Sequence, residues 1–210
     1  MSKELEMARE LVKMLEEKET AANVKCSQED CSKVKLEELR EGDTFKIGDY
    51  DFIVLEQMNN QTAVISKDLM VKNVVFDEDI RDYNKSSLKK LIEEEIQPEI
   101  EKEIGADNLV EHEVDLTSVD MQSEFGKCRC KVRPITFNEA RKYNNLLANK
   151  ELGDWWWTCT PWSTEEREVK YSISVVLPDG YFDWDCCNGG SGGVRPFCIL
   201  KSNIFVSKGE

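Results

Sequence analysis

The groups able to do chemistry in this 210-residue chain are thiols, one imidazole and a short run of oxygen ligands. Of its eight cysteines, Cys26 and Cys31 sit in a polar stretch, and Cys128 and Cys130 form a C-x-C beside Arg129, Lys131 and Arg133. Four thiolates are enough for tetrahedral zinc, but neither spacing is the C-x2-C that usually closes around the ion. The favoured reading puts Cys128 and Cys130 on one face of a strand. Cys186 and Cys187 are adjacent, which suits neither a simple disulfide nor a tetrahedral site. No metal and no cofactor is expected, and without an export signal the thiols are expected to stay reduced. His112, the only histidine, lies between Glu111 and Glu113. A lone imidazole flanked by acids reads as a surface residue. Without it no nucleophile–histidine–acid set can form, so no catalytic residues are expected.

The stretch from Trp155 to Phe197 points to recognition instead. It holds all five tryptophans and five of the eleven glycines. Rigid rings beside Gly, Asn, Ser and Asp give contact area at low entropic cost together with adaptable hydrogen bonds. The candidate binding face is Tyr171, Ser172, Ser174, Tyr181, Asp183, Trp184, Asp185, Asn188 and Ser191, with Trp162 at its rim. Asp183, Asp185 and Asn188 also offer three oxygen ligands in one segment, which raises calcium as a competing reading. Trp155–Trp157 and Arg195 are assigned to a structural frame. Alternation puts Trp156 opposite Trp155 and Trp157, so one face is core and the other is covered or faces a ligand. A buried Arg195 needs backbone carbonyls or a carboxylate.

These residues need elements to hold them. Residues 2–20 read as an amphipathic helix, with Leu5, Ala8, Val12 and Leu15 spaced 3-4-3 and Leu11 and Met14 widening the stripe. At about two heptads it is too short for an independent coiled coil, which favours packing on its own domain. The alternative is a homo-oligomer joined through this helix. Residues 21–35 read as a linker. Short strands follow at 44–47, 51–56 and 62–66, with Gly, Asn and Asp between them. Ser86 or Ser87 caps a helix carrying Leu88, Leu91, Ile92, Ile96, Ile100 and Ile104, which Pro98 is expected to break or restart. Residues 105–127 read as irregular or weakly extended. Thr136-x-x-Glu139 is a capping box opening a further helix. Strands are predicted at 155–159, 171–177, 180–185 and 194–200, with a turn at Pro178-Asp179-Gly180. The fold class is α+β, with one domain over 36–205.

A net charge of −14 opposes nucleic-acid binding and docking on anionic membranes. No stretch is long and apolar enough for membrane insertion. The first residues carry no signal-peptide pattern. A cytoplasmic or phage-particle-associated protein is expected.

The order Gly42-Asp43 … Phe52-Ile53-Val54-Leu55 … Ser87-Leu88-Lys89 … Trp155-Trp156-Trp157-Thr158 … Asp179-Gly180 … Gly193-Val194-Arg195-Pro196 resembles an uncharacterised domain family of bacteria, especially gut Firmicutes, and their phages. Its members read W-W-L-R-S and end in G-V-R-P-A-L, and the likeness covers about residues 36–202. Here Phe52 stands where Trp is usual, Thr158-Cys159 replaces Leu-Arg-Ser, and Phe197-Cys198 replaces Ala-Leu. The tryptophan-to-G-V-R ending also resembles the C-type-lectin fold of formylglycine-generating enzymes and of variable proteins diversified by retroelements. That resemblance implies short twisted antiparallel strands, two or three helices and a long loop-rich C-terminal half. It also implies a variable region over 155–200, because Tyr181–Asp183 and Asp185–Ser191 are residue types reachable from Asn codons by changing adenines. The function implied is non-catalytic binding of a protein or cell-surface ligand. The competing readings are a calcium-dependent sugar binder, which lacks the Glu-Pro-Asn motif, a formylglycine-type copper enzyme, whose cysteine spacing is absent, and a structural or receptor-binding subunit of a phage or surface apparatus.

Overall fold

The computed structural model describes residues 33–209. The expected N-terminal helix, any oligomer contact through it, and Cys26 and Cys31 lie outside these residues. The fold is α+β and mostly sheet. A seven-stranded sheet contains β1 (Lys33–Lys35), β2 (Thr44–Ile47), β3 (Tyr50–Met58), β4 (Gln61–Ser66), β8 (Val132–Pro134), β13 (Pro196–Lys201) and β14 (Phe205–Lys208), in the order β1-β14-β2-β3-β4-β13-β8. A five-stranded sheet contains β5 (Val71–Val74), β9 (Trp156–Pro161), β10 (Ser172–Val176), β11 (Phe182–Cys186) and β12 (Gly192–Val194), in the order β11-β10-β9-β12-β5. β6 (His112–Asp115) and β7 (Lys127–Cys130) form a separate hairpin-like pair.

Alternation along the central strands gives two cores. On β3, Phe52 and Val54 enter one apolar cluster while Ile53 and Leu55 enter the other. The first cluster is covered by a long helical segment made of α1 (Ser87–Leu91), a π-helical turn (Ile92–Ile96) and α2 (Gln97–Ile104). Leu88, Ile92, Ile96 and Ile100 recur every fourth residue and are all buried, each contributing about 1.5–3 kcal/mol by leaving water. Pro98 restarts the α-helix rather than breaking the segment, since α2 begins at Gln97 with the proline in its first turn. The turn before it widens, so that Gln97 N–H donates to the Ile92 carbonyl and the helix passes the residue that has no N–H to give. Glu93, Glu94 and Glu95 face solvent.

The second cluster is covered by α3 (Phe137–Lys142) and α4 (Asn144–Leu147), through Ala140, Tyr143 and Leu147. Thr136 and Glu139 form the capping box that starts α3.

The stretch read as irregular or weakly extended contains the short strand β6. Two expectations change. Lys33–Lys35, read as linker, is strand β1 and pairs with β14, so the domain's sheet runs from Lys33 to Lys208. The C-terminal half is not loop-rich, since six strands follow Trp155. Among the described residues no helix is long and apolar enough to cross a membrane.

Candidate ligand-binding surface

The frame of this surface is β9. Every residue from Trp156 to Pro161 is buried, because the strand is covered on both faces. Trp156 packs in the cluster under α3 and α4, and Trp157 packs in the other. Trp155 is half-buried and meets Trp157 edge-on at 4.7 Å, and Trp157 Nε1–H donates to the Val74 carbonyl at 2.9 Å. The tryptophans thus divide between faces as alternation requires, and neither face of β9 is open to a ligand. β12 can lie alongside only because it is glycine. A Cβ on Gly192 would stand 2.4 Å from the Trp155 ring, and one on Gly193 would stand 2.6 Å from Leu69.

Arg195 marks the point where the chain leaves one sheet for the other. Val194 ends β12, and Pro196 begins β13. The Arg195 guanidinium is fully buried, with Nε donating to Ser66 O and Nη1 to Leu147 O, both at 2.9 Å. It lies 4.6 Å from the Trp156 ring. Its partners are carbonyls and a ring face rather than a carboxylate, and burial pulls its pKa down to about 10. The side chain therefore ties the end of β4, the end of α4 and β9 into one joint.

The display elements are β10, β11 and the loop after them. The turn Leu177–Gly180 closes with Gly180 N–H on Leu177 O at 2.9 Å, and Gly180 takes φ of +88°, a conformation natural to glycine. Asn144 Nδ2–H donates to the Gly180 carbonyl at 2.8 Å, which fixes the hairpin to α4. β11 is an edge strand, and its register sets Ser172 opposite Cys186, Ser174 opposite Trp184 and Val176 opposite Phe182.

That register splits the residues expected to share one binding face. Tyr181, Asp183 and Asp185 point to one side of β11, whereas Phe182, Trp184 and Cys186 point to the other. Tyr171, Tyr181 and Trp184 are 47%, 72% and 49% exposed. Asp183, Asn188 and Ser191 are exposed, and Asp185 and Trp162 are half-buried.

Two residues expected in the binding face do not reach it. Ser174 is fully buried, with its Oγ 2.5 Å from Thr158 Oγ1 and donating to Thr160 O at 2.9 Å. Ser172 is also buried. Both face inward from β10, beneath the end of β9 and the start of α3, whose Phe137 N–H bonds Thr160 Oγ1 at 3.0 Å and whose ring meets Phe182 at 5.1 Å. Cys187 is buried and Cys186 half-exposed. The six described cysteines are free thiols, with Cys128 and Cys130 both buried on one side of β7.

One polar centre was not foreseen. Arg133 is buried, and its Nη1 and Nη2 donate to Glu139 Oε2 and Oε1 at 2.8 and 2.6 Å. Its Nε donates to His112 Nε2 at 2.9 Å, and its guanidinium lies 4.2 Å from the Phe197 ring. His112 is therefore not a free surface residue. Its Nε2 accepts, so its proton sits on Nδ1 facing Val110 O at 3.2 Å. Burial first, and the Arg133 charge second, hold the imidazole below its ordinary range. For Glu139 burial opposes ionisation, but the Arg133 charge and hydrogen bonds outweigh it and keep the carboxyl low. The strand pair that carries it repeats a tripeptide: Val-Arg-Pro occurs at 132–134 and again at 194–196, and the two prolines face each other in register.

Three clefts lie away from the rim. One of about 630 Å³ lies between β2, β14 and the end of α2, one of about 420 Å³ lies around Asn60, Val110 and Lys201, and one of about 330 Å³ lies beside Arg133 and Glu139. None of the three is lined by Tyr171, Tyr181 or Trp184. Comparison of the chain with protein-family models, with curated proteins and with solved structures finds no match.

Proposed function

We propose that this chain is a non-catalytic binding protein that recognises a protein or cell-surface ligand through the rim formed by β11, the start of β10 and the loop 187–191. The observation that carries the reading is the placement of exposed aromatics. Of the six large apolar side chains left exposed among the described residues, Tyr171, Tyr181 and Trp184 belong to this one edge, two strands away from a strand with no exposed residue. Exposed rings concentrated on a rigid support are typical of interaction surfaces. The rim lines none of these three clefts, which favours a broad macromolecular ligand over an enclosed small one.

The scaffold is read as C-type-lectin-like, and the protein as a target of a diversity-generating retroelement. Support comes from the same division: Trp156, Trp157, Val194 and Arg195 are buried frame, while Tyr181, Asp183, Trp184, Asn188 and Ser191 are exposed positions that change at little structural cost. The test is the DNA around the gene. The reading expects a reverse transcriptase and a near-copy of the segment coding for 155–200, with mismatches at adenines of rim codons. A near-copy whose mismatches fall in the codons of Trp156, Val194 or Arg195, or the absence of any near-copy, overturns diversification. In the second case the rim remains a binding surface of a phage or surface-apparatus subunit.

A further inference from the structure

An edge strand normally offers a row of unpaired N–H and C=O groups to any other strand. β11 is such an edge, and hydrogen bonds at its two ends show which groups face outward. Leu177 N–H donates to Tyr181 O at 2.9 Å, and Cys187 N–H donates to Tyr171 O at 2.6 Å. In an antiparallel ladder the inward groups then belong to residues 181, 183, 185 and 187, and the outward ones to 182, 184 and 186.

Three of those outward groups are already taken. Trp184 N–H donates to Asp183 Oδ1 at 2.9 Å, and Cys186 N–H donates to Asp185 Oδ1 at 2.7 Å. The Cys186 carbonyl accepts from Gly189 N–H at 2.7 Å. Each aspartate folds back over the edge and satisfies the amide that follows it. An incoming strand would have to displace two charge-assisted bonds and bring its own carbonyls against two carboxylates.

We propose that Asp183 and Asp185 close the free edge of β11 to strand addition, so that a partner meets this rim through side chains and not through a shared sheet. The closure stands on these bonds alone, and only its consequence for the partner rests on the binding role proposed above. The aspartates on this strand thereby have a structural duty beside any contact with a ligand.

The test needs no ligand. Asp183→Ala/Asp185→Ala removes both acceptors, and Asp183→Asn/Asp185→Asn keeps an acceptor oxygen at each position without the charge. Light scattering over a concentration series and amide hydrogen exchange, both on the full chain, compare the two with the wild type. In the alanine pair at low concentration, exchange at Trp184 and Cys186 should speed up by about tenfold or more. Its mass should rise toward twice the wild-type value as concentration increases. The asparagine pair should follow the wild type in both. Unchanged exchange in the alanine pair overturns the capping. A wild-type mass throughout overturns the closure. Association of the asparagine pair as strong as that of the alanine pair assigns the effect to charge and overturns the hydrogen-bond mechanism.

Discussion

β9 and β11 lie in the same sheet with one strand between them, and they are opposites. β9 carries Trp156-Trp157-Thr158-Cys159-Thr160-Pro161 and exposes none of it. β11 carries Phe182-Asp183-Trp184-Asp185-Cys186 and buries none of it completely. Both are aromatic-rich, so composition does not separate them. Position in the sheet does. A strand covered on both faces uses its rings for cohesion, whereas the edge strand covers Phe182 with Phe137 and leaves Trp184 half exposed. The difference teaches that packing and exposure here are divided by strand, with β10 as the boundary: its Ser172 and Ser174 turn inward despite their polarity.

The comparison is broken most severely from the β9 side. Trp156→Ala or Trp157→Ala should cost about 3–5 kcal/mol, the usual loss for emptying a fully packed aromatic site, read by denaturant unfolding. A cost under about 1 kcal/mol would remove β9 as the frame.

Next is the pair beneath the frame. Glu139→Ala strands the buried Arg133 charge and removes one half of the capping box of α3, and should cost about 3 kcal/mol or more. Arg133→Met with Glu139→Leu should recover much of that loss, because no charge is then left unpaired.

A smaller effect follows from pH. The folded pKa of His112 lies below its ordinary 6.5, and that of Glu139 below 4.5. In both cases the unfolded chain binds the proton more readily, so stability is fully present above the unfolded value and is lost as pH falls through the folded one. Stability should begin to fall below pH about 6.5, and His112→Asn should flatten that first part and leave the later, carboxylate part in place. Stability that rises on acidification through this window would contradict the assignment.

The smallest effects belong to β11. Trp184→Ala and Tyr181→Ala should change stability by no more than about 0.5 kcal/mol, measured by thermal unfolding. This contrast between tryptophans two strands apart sharpens the division most cheaply.

Much of this architecture was legible from local pattern. Alternation located β2, β3, β4 and four of the six C-terminal strands, β9, β10, β11 and β13, to within a few residues, and Thr136-x-x-Glu139 announced its own cap. What escaped depended on distant partners. Lys33–Lys35 is a strand only because β14, at the far end of the chain, pairs with it. β6 is held by β7. The inward turn of Ser174 depends on Thr158 and Thr160 of another strand. The assignment of Tyr181, Asp183, Trp184 and Asp185 to one face failed for a different reason. Strand alternation was applied to the tryptophans of β9 and not to β11, where the same rule separates Trp184 from its neighbours. The second Val-Arg-Pro lay in plain sight, but a tripeptide carries no indication of which carboxylate will meet its arginine.

The division between frame and rim is tested most directly by a full set of single substitutions over residues 155–200, scored for retention of the fold by resistance to proteolysis. The account predicts broad tolerance at Tyr181, Asp183, Trp184, Asn188 and Ser191, and intolerance at Trp156, Trp157, Gly192, Gly193, Val194 and Arg195. Equal tolerance in the two groups, or intolerance at the exposed positions of β11 and its loop, would contradict it.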